Sequence, residues 1–131
     1  MDRPDPWQAV RMIAAALLTL CAPSVAVDGD TIKDCNGKLW RLARIDAPET
    51  HGCRKGRRCA PGDGKASKAA LARMIRGRAV RCRIVDALPD RPGFQSRDPY
   101  GRPVVRCWAG GVELGPAMLR GGWAVRWPIE R

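Results

Sequence analysis

Apolar and polar positions along the chain alternate in short runs around one helical stretch. Residues 27–33 read as a strand interrupted by an Asp28-Gly29-Asp30 turn. Cys35-Asn36-Gly37-Lys38 carries Asn-Gly, the strongest short hairpin signal, so the chain doubles back through residues 39–45. In that return strand Trp40 and Leu42 share one face while Arg41, Ala43 and Ile45 share the other, and Ala47-Pro48 ends it. Residues 50–64 form a loop rich in Gly, Pro and Cys. A helix then starts behind Asp63, which can cap it, with Ala66, Ala70 and Met74 on one stripe, Leu71 and Ile75 beside them, and Gly77 at its end. Lys65, Lys68 and Arg76 face away. Val80, Cys82 and Ile84 alternate with Arg81 and Arg83, which predicts a half-buried strand over 78–85. After a loop with three prolines come a strand over 104–109, a Gly110-Gly111 turn, a short helix on Leu114, Ala117 and Met118, and a last strand over 123–127. This order predicts an antiparallel, mainly β, α+β domain: a small closed barrel with helices packed on it.

The 131 residues suffice for one domain. The segment before residue 27 reads in two ways. Residues 12–21 are apolar, follow Arg3 and Arg11, and precede a small-residue Ser24-Val25-Ala26 site, so residues 1–26 read as a signal peptide or N-terminal extension before a domain over 27–131. The ten-residue run is too short to cross a bilayer. The other reading makes it the first core strand or helix, which would leave the protein cytoplasmic. Asp2 and Asp5 interrupt the basic lead-in, so Met12 is a second candidate start.

The net charge is +11, and removing residues 1–26 leaves it unchanged because two arginines and two aspartates go together. The basic character therefore belongs to the domain and favours polyanionic partners, with an anionic membrane or simple solubility as the alternatives. The loop over 50–64 holds Arg54, Lys55, Arg57 and Arg58, a run that either grips phosphates or is solvated. Six cysteines point to an oxidising compartment, secreted or periplasmic. If Cys21 leaves with a signal, Cys35, Cys53, Cys59, Cys82 and Cys107 remain, giving one or two bridges and a thiol over. Cys53 with Cys59 is the expected local bridge, and Cys82 and Cys107 can face each other across two strands. A zinc site from His51, Cys53 and Cys59 is the alternative, but the spacing lacks the short knuckle of such sites.

The candidate chemistry lies in Asp28-Gly29-Asp30-Thr31, Arg41, Asp46-Ala47-Pro48-Glu49 and Asp98-Pro99-Tyr100-Gly101-Arg102. Carboxylate oxygens hold a hard divalent cation. Arginine forks grip phosphate bidentately. A further carboxylate can position or deprotonate water. Together they are the parts of a metal-assisted phosphodiester hydrolase.

The runs VDGDTIK, RLARIDAPE and DPYGR, in this order over residues 27–127, resemble the staphylococcal-nuclease-like (thermonuclease) domain family. The resemblance implies a small five-stranded OB-type barrel with helices, and Ca²⁺-dependent hydrolysis of DNA and RNA with little sequence preference. It implies Ca²⁺ on Asp30, Asp46 and the Ala47 backbone carbonyl, with Glu49 acting on the attacking water. Arg41 and Arg102 would clamp the scissile phosphate and Tyr100 would lie beside the nucleotide. Asp28 would shape the turn rather than bind metal. Single strands are the expected substrate form and a monomer the expected state, with salt-sensitive binding. Trp40, Trp108, Trp123 and Trp127 are expected in or near the core. The chain departs from the family pattern in a short first strand, in Pro99 where a basic residue is common, and in having no C-terminal helix after the last strand. A module that binds nucleic acid without cleaving it is the competing function. A disulfide-stabilised basic structural protein is a third, but leaves the clustering of carboxylates at turns unexplained.

Overall fold

The computed structural model describes residues 17–128. Its strands are β1 (Leu18–Thr19), β2 (Val25–Asp28), β3 (Thr31–Lys33), β4 (Leu39–Leu42), β5 (Ile45–Asp46), β6 (Val80–Ile84), β7 (Val104–Ala109), β8 (Val112–Glu113) and β9 (Val125–Arg126), and its helices α1 (Gly64–Ile75) and α2 (Leu114–Arg120). The α+β, mainly β expectation is therefore met. One sheet runs β1-β6-β7-β4-β3-β2 with β8 added to β7, and β5 pairs with β9 in a second, two-stranded sheet.

Local sequence explains most elements. β3 and β4 are joined by the expected hairpin turn, and Asp34 organises it: Oδ1 accepts from the Asn36 and Lys38 amides at 2.9 and 3.0 Å, and Oδ2 accepts from the Trp40 indole at 3.0 Å. Asp63 caps α1 by accepting from the Lys65 and Ala66 amides. Ile32, Leu42, Ile45, Leu71, Val80, Val105, Leu114 and Met118 are fully buried and form the core between the sheet and the two helices.

Several expectations need correction. The ladder between β4 and β7 is parallel, with Arg41 opposite Val104, so the sheet is mixed rather than antiparallel. Among the described residues its end strands β1 and β2 do not pair, so no closed five-stranded barrel is formed by these ladders. The strand expected over 39–45 breaks at Ala43-Arg44, where Arg44 adopts φ 63, a rare value for a side-chain-bearing residue. That turn sends Ile45 and Asp46 away from the main sheet to pair with β9.

The fold also begins before residue 27. Leu18 pairs with Cys82, Leu20 is buried, and Cys21 is bridged to Cys35. Within the apolar run read as a leader, Leu20 is buried and Leu18 half-buried against the sheet while Leu17 is exposed, and Val25 and Ala26 of the small-residue site lie on β2. Residues 1–16 lie outside the described residues. Cys53–Cys59 and Cys82–Cys107 are also bridged, so no thiol is left over, and Cys53 and Cys59 have no thiolate for zinc. Of the expected apolar face of α1, Ala70, Leu71 and Ile75 are buried, joined by Gly64 and Ser67, while Ala66 and Met74 are only half-buried. Ser67 can be buried because its hydroxyl donates to the Trp123 carbonyl at 2.7 Å. Trp40 is in the core as expected, but Trp127 is 41% exposed.

Candidate active site

The hairpin register brings the first two motifs together. Thr31 lies opposite Arg41 across β3 and β4, so the residues just before β3 and the middle of β4 meet at one corner of the sheet. Two close approaches fix that corner. Gly29 packs against α1 and the 46–47 segment so tightly that a Cβ there would collide with Ser67 Oγ and lie 2.8 Å from Ala47 Cβ. Gly64, the first residue of α1, packs directly on the Glu49 backbone carbonyl, where a Cβ would also collide. The Asp-Gly-Asp turn, Ala47 and Glu49 are thus all held by the start of one helix.

Asp30 is the hub. It is 6% exposed. Its Oδ2 accepts from the Ala47 amide at 2.8 Å and lies 3.4 Å from Arg41 Nη1, while Oδ1 accepts from Thr31 Oγ1 at 2.8 Å. Arg41 Nη2 lies 3.7 Å from Asp46 Oδ1, and Arg41 Nη1 also donates to the Leu42 carbonyl at 3.0 Å. Arg102 arrives from the loop before β7. Asp98 anchors it, accepting from the Arg102 amide and the Tyr100 amide at 2.9 Å each and from Arg102 Nε at 2.7 Å. Arg102 Nη1 reaches Thr31 Oγ1 at 3.5 Å, and its guanidinium lies 5.4 Å from the ring centre of Tyr100, which is 73% exposed. A continuous polar path therefore runs Arg102–Thr31–Asp30–Arg41–Asp46. Glu49 and Asp28 line a neighbouring cleft of about 360 Å³, together with Thr50, His51, Arg54 and Arg57.

The electrostatics are those of crowded carboxylates. Burial, reinforced by Asp30, pushes the Asp28 carboxyl up to about 7. Burial and the charge of Asp30 push Asp46 up to about 6, against the pull of Arg41. Burial acts to raise Asp30 as well. Its bond to Asp28, the charge of Arg41, the Ala47 amide and the Thr31 hydroxyl together outweigh that and hold it below its ordinary value.

The seven candidate site residues, and Asp28 of the turn, lie in or beside this corner. Asp28, Asp30, Arg41, Asp46, Ala47 and Arg102 are brought together directly, Glu49 lies on the cleft, and Tyr100 is attached through Arg102. Sequence reading missed Thr31 and gave Asp98 no role. A hydroxyl next to a candidate ligand, and an Asp four residues before an Arg in a tight Gly turn, were the available signals.

A family model for the staphylococcal nuclease homologue matches residues 40–130. The chain belongs to that family. The match takes in Arg41, Asp46, Ala47, Glu49, Tyr100 and Arg102, while Asp28 and Asp30 precede it and are tied to it by the β3–β4 register. No curated protein matches the chain. Staphylococcal nuclease homologues are in general nucleases that bind nucleic acid. The three disulfides of this homologue are compatible with an extracellular location, and among the described residues no helix is long and apolar enough to cross a membrane.

Among the described residues no three His, Cys, Asp or Glu side chains converge as a metal cage. Asp30, Asp46 and the Ala47 carbonyl offer oxygen only, which suits a hard ion such as Ca²⁺ that completes its shell with water. Crowding of Asp28 and Asp46 around Asp30 is the charge arrangement a cation relieves. The donor set fits Ca²⁺.

Proposed function

We propose that the protein is a Ca²⁺-dependent phosphodiesterase that hydrolyses DNA and RNA with little sequence specificity, acting on single strands as a monomer in a secreted or periplasmic setting. The observation that carries this reading is the polar path Arg102–Thr31–Asp30–Arg41–Asp46, which joins two arginines and two carboxylates beside Glu49. Asp30, Asp46 and the Ala47 carbonyl would hold the ion. Bound there, Ca²⁺ supplies Lewis-acid withdrawal of charge from a phosphate oxygen.

The remaining chemistry belongs to the chain's own side chains. Arg41 and Arg102 bind the scissile phosphate and stabilise the extra negative charge of its five-coordinate transition state. Glu49 orients a water on the opposite side from the leaving 5′-oxygen and accepts its proton. Tyr100 offers an exposed ring on which an unpaired base can stack. Asp98 and Thr31 position Arg102, one from each end of its guanidinium.

The test is incubation of the protein with single-stranded DNA in Ca²⁺ or in chelator, alongside Glu49→Gln and Arg41→Ala. Cleavage should require Ca²⁺, and loss of Arg41 should lower the rate about 10²–10³-fold, as removal of a preorganised electrostatic donor does. Near-normal turnover in either folded variant would overturn the assignment. Salt-sensitive binding without cleavage would leave a nucleic-acid-binding module.

A further inference from the structure

The loop between Glu49 and α1 is the most basic stretch of the chain, and its geometry is specific. Cys53 and Cys59 are bridged. Inside that bridge the Arg57 amide donates to the Arg54 carbonyl at 3.0 Å, and Gly56 has φ +84. Arg54-Lys55-Gly56-Arg57 is therefore a β-turn with a left-handed third residue, which needs glycine there. A turn of this kind brings its first and last residues within about 7 Å, so Arg54 and Arg57 stand side by side. Both line the cleft that also holds Glu49 and Asp28, whereas Lys55 and Arg58 do not. Among the described residues, no carboxylate pairs with either cleft-lining arginine.

We infer that this bridged turn is a phosphate clamp, with Arg54 and Arg57 gripping the nucleic-acid backbone beside the phosphate held by Arg41 and Arg102. The inference rests on the nuclease reading for what occupies the centre, and adds a site that makes a polymer the preferred ligand. Guanidinium forks suit non-bridging phosphate oxygens. A turn closed by a disulfide holds them in place before the ligand arrives, so less ordering entropy is lost on binding. Its position beside Glu49 puts the added contacts next to the bond to be broken.

The test is equilibrium binding of a fluorescent oligothymidylate to the full chain in chelator, as a function of salt, for wild type, Arg54→Ala/Arg57→Ala and Lys55→Ala/Arg58→Ala. Two lost single-strand phosphate contacts should reduce the slope of log affinity against log salt by about 1.4. That corresponds to about 25-fold weaker binding at about 0.1 M salt, with the curves converging towards about 1 M. The Lys55/Arg58 variant removes the same charge from the same loop and should change the slope much less. Equal losses in both variants would show diffuse charge rather than a clamp, and an unchanged slope in the Arg54/Arg57 variant would also overturn it. Thermal melting of each variant separates either result from unfolding. Because no hydrolysis is needed, the two readings fail separately. A protein that cleaves nothing yet loses slope at Arg54 and Arg57 keeps the clamp and loses the nuclease assignment. Cleavage with an unchanged slope does the reverse.

Discussion

Replacing Gly29 by alanine adds one methyl group at the tightest contact of the site. That methyl would collide with Ser67 Oγ and lie 2.8 Å from Ala47 Cβ and 3.0 Å from Ser67 Cβ. Ser67 cannot swing away without breaking its 2.7 Å hydrogen bond to the Trp123 carbonyl, and Ala47 is held by the hydrogen bond its backbone amide donates to Asp30 Oδ2. The turn must therefore move relative to α1 or the buried hydroxyl bond must break. Overpacking costs about 1–3 kcal/mol and the lost hydrogen bond about 1 kcal/mol, so Gly29→Ala should destabilise by about 2–4 kcal/mol. That is a large share of the stability of a small domain. Ser67→Ala alone should cost about 1–2 kcal/mol, through the Trp123 carbonyl left unpaired. In the double variant the worst collision is gone, so its cost should fall short of the sum of the singles by about 1 kcal/mol or more. Urea unfolding followed by tryptophan fluorescence measures all four corners of this cycle. A Gly29→Ala loss under about 0.5 kcal/mol, or strict additivity, would refute the close-packing account of the turn.

Three further outcomes follow from the same structure. Asp98→Ala removes three hydrogen bonds that hold Arg102 and Tyr100, so the Ca²⁺-dependent cleavage rate should fall while Tm changes by only a few degrees; matching rates in wild type and variant would show that Arg102 needs no anchor. Deleting residues 1–26 removes β1, Leu20 and the Cys21–Cys35 bridge and should abolish the cooperative urea transition, as circular dichroism would report. The Trp40 indole, opposed by partial burial and aided by the Lys38 and Asn36 amides, holds Asp34 below its ordinary carboxylate value. Its bonds therefore stabilise the fold above the unfolded pKa near about 3.9 and are lost as pH falls through the lower folded value, so Asp34→Asn should flatten the acid limb of a stability-against-pH curve.

Much of the fold was readable because the determining interactions are local. Asn36-Gly37 with Asp34 set the hairpin, Asp63 and Gly77 bounded α1, and alternation in 80–84 set β6. What escaped depended on contacts distant in sequence. Leu18 and Leu20, inside the apolar 12–21 run, reach the core only through contacts with β6, about 60 residues on by sequence position. Ser67 sits where periodicity favours an apolar residue, and its acceptor, the Trp123 carbonyl, is 56 residues away. Arg44 looks like an ordinary strand residue until its φ of 63 breaks the strand.

The site divides in the same way. Motif order identified which side chains meet, since Asp28-Gly29-Asp30, Arg41 and Asp46 fall on one hairpin and the strand after it. It did not say how Arg102, 61 positions beyond Arg41, is coupled to them. That coupling comes from the parallel β4–β7 ladder, which sets Val104 beside Arg41 and so carries the Asp98–Arg102 turn to the same corner, where Thr31 accepts from Arg102 and donates to Asp30. A hydroxyl can do both at once because it holds one donor and two lone pairs. Valine at this position would keep the strand and the packing but cut the path between the arginine and the carboxylate. The small polar group between the two halves of the site is therefore as much a part of its architecture as the charged residues that first drew attention to it.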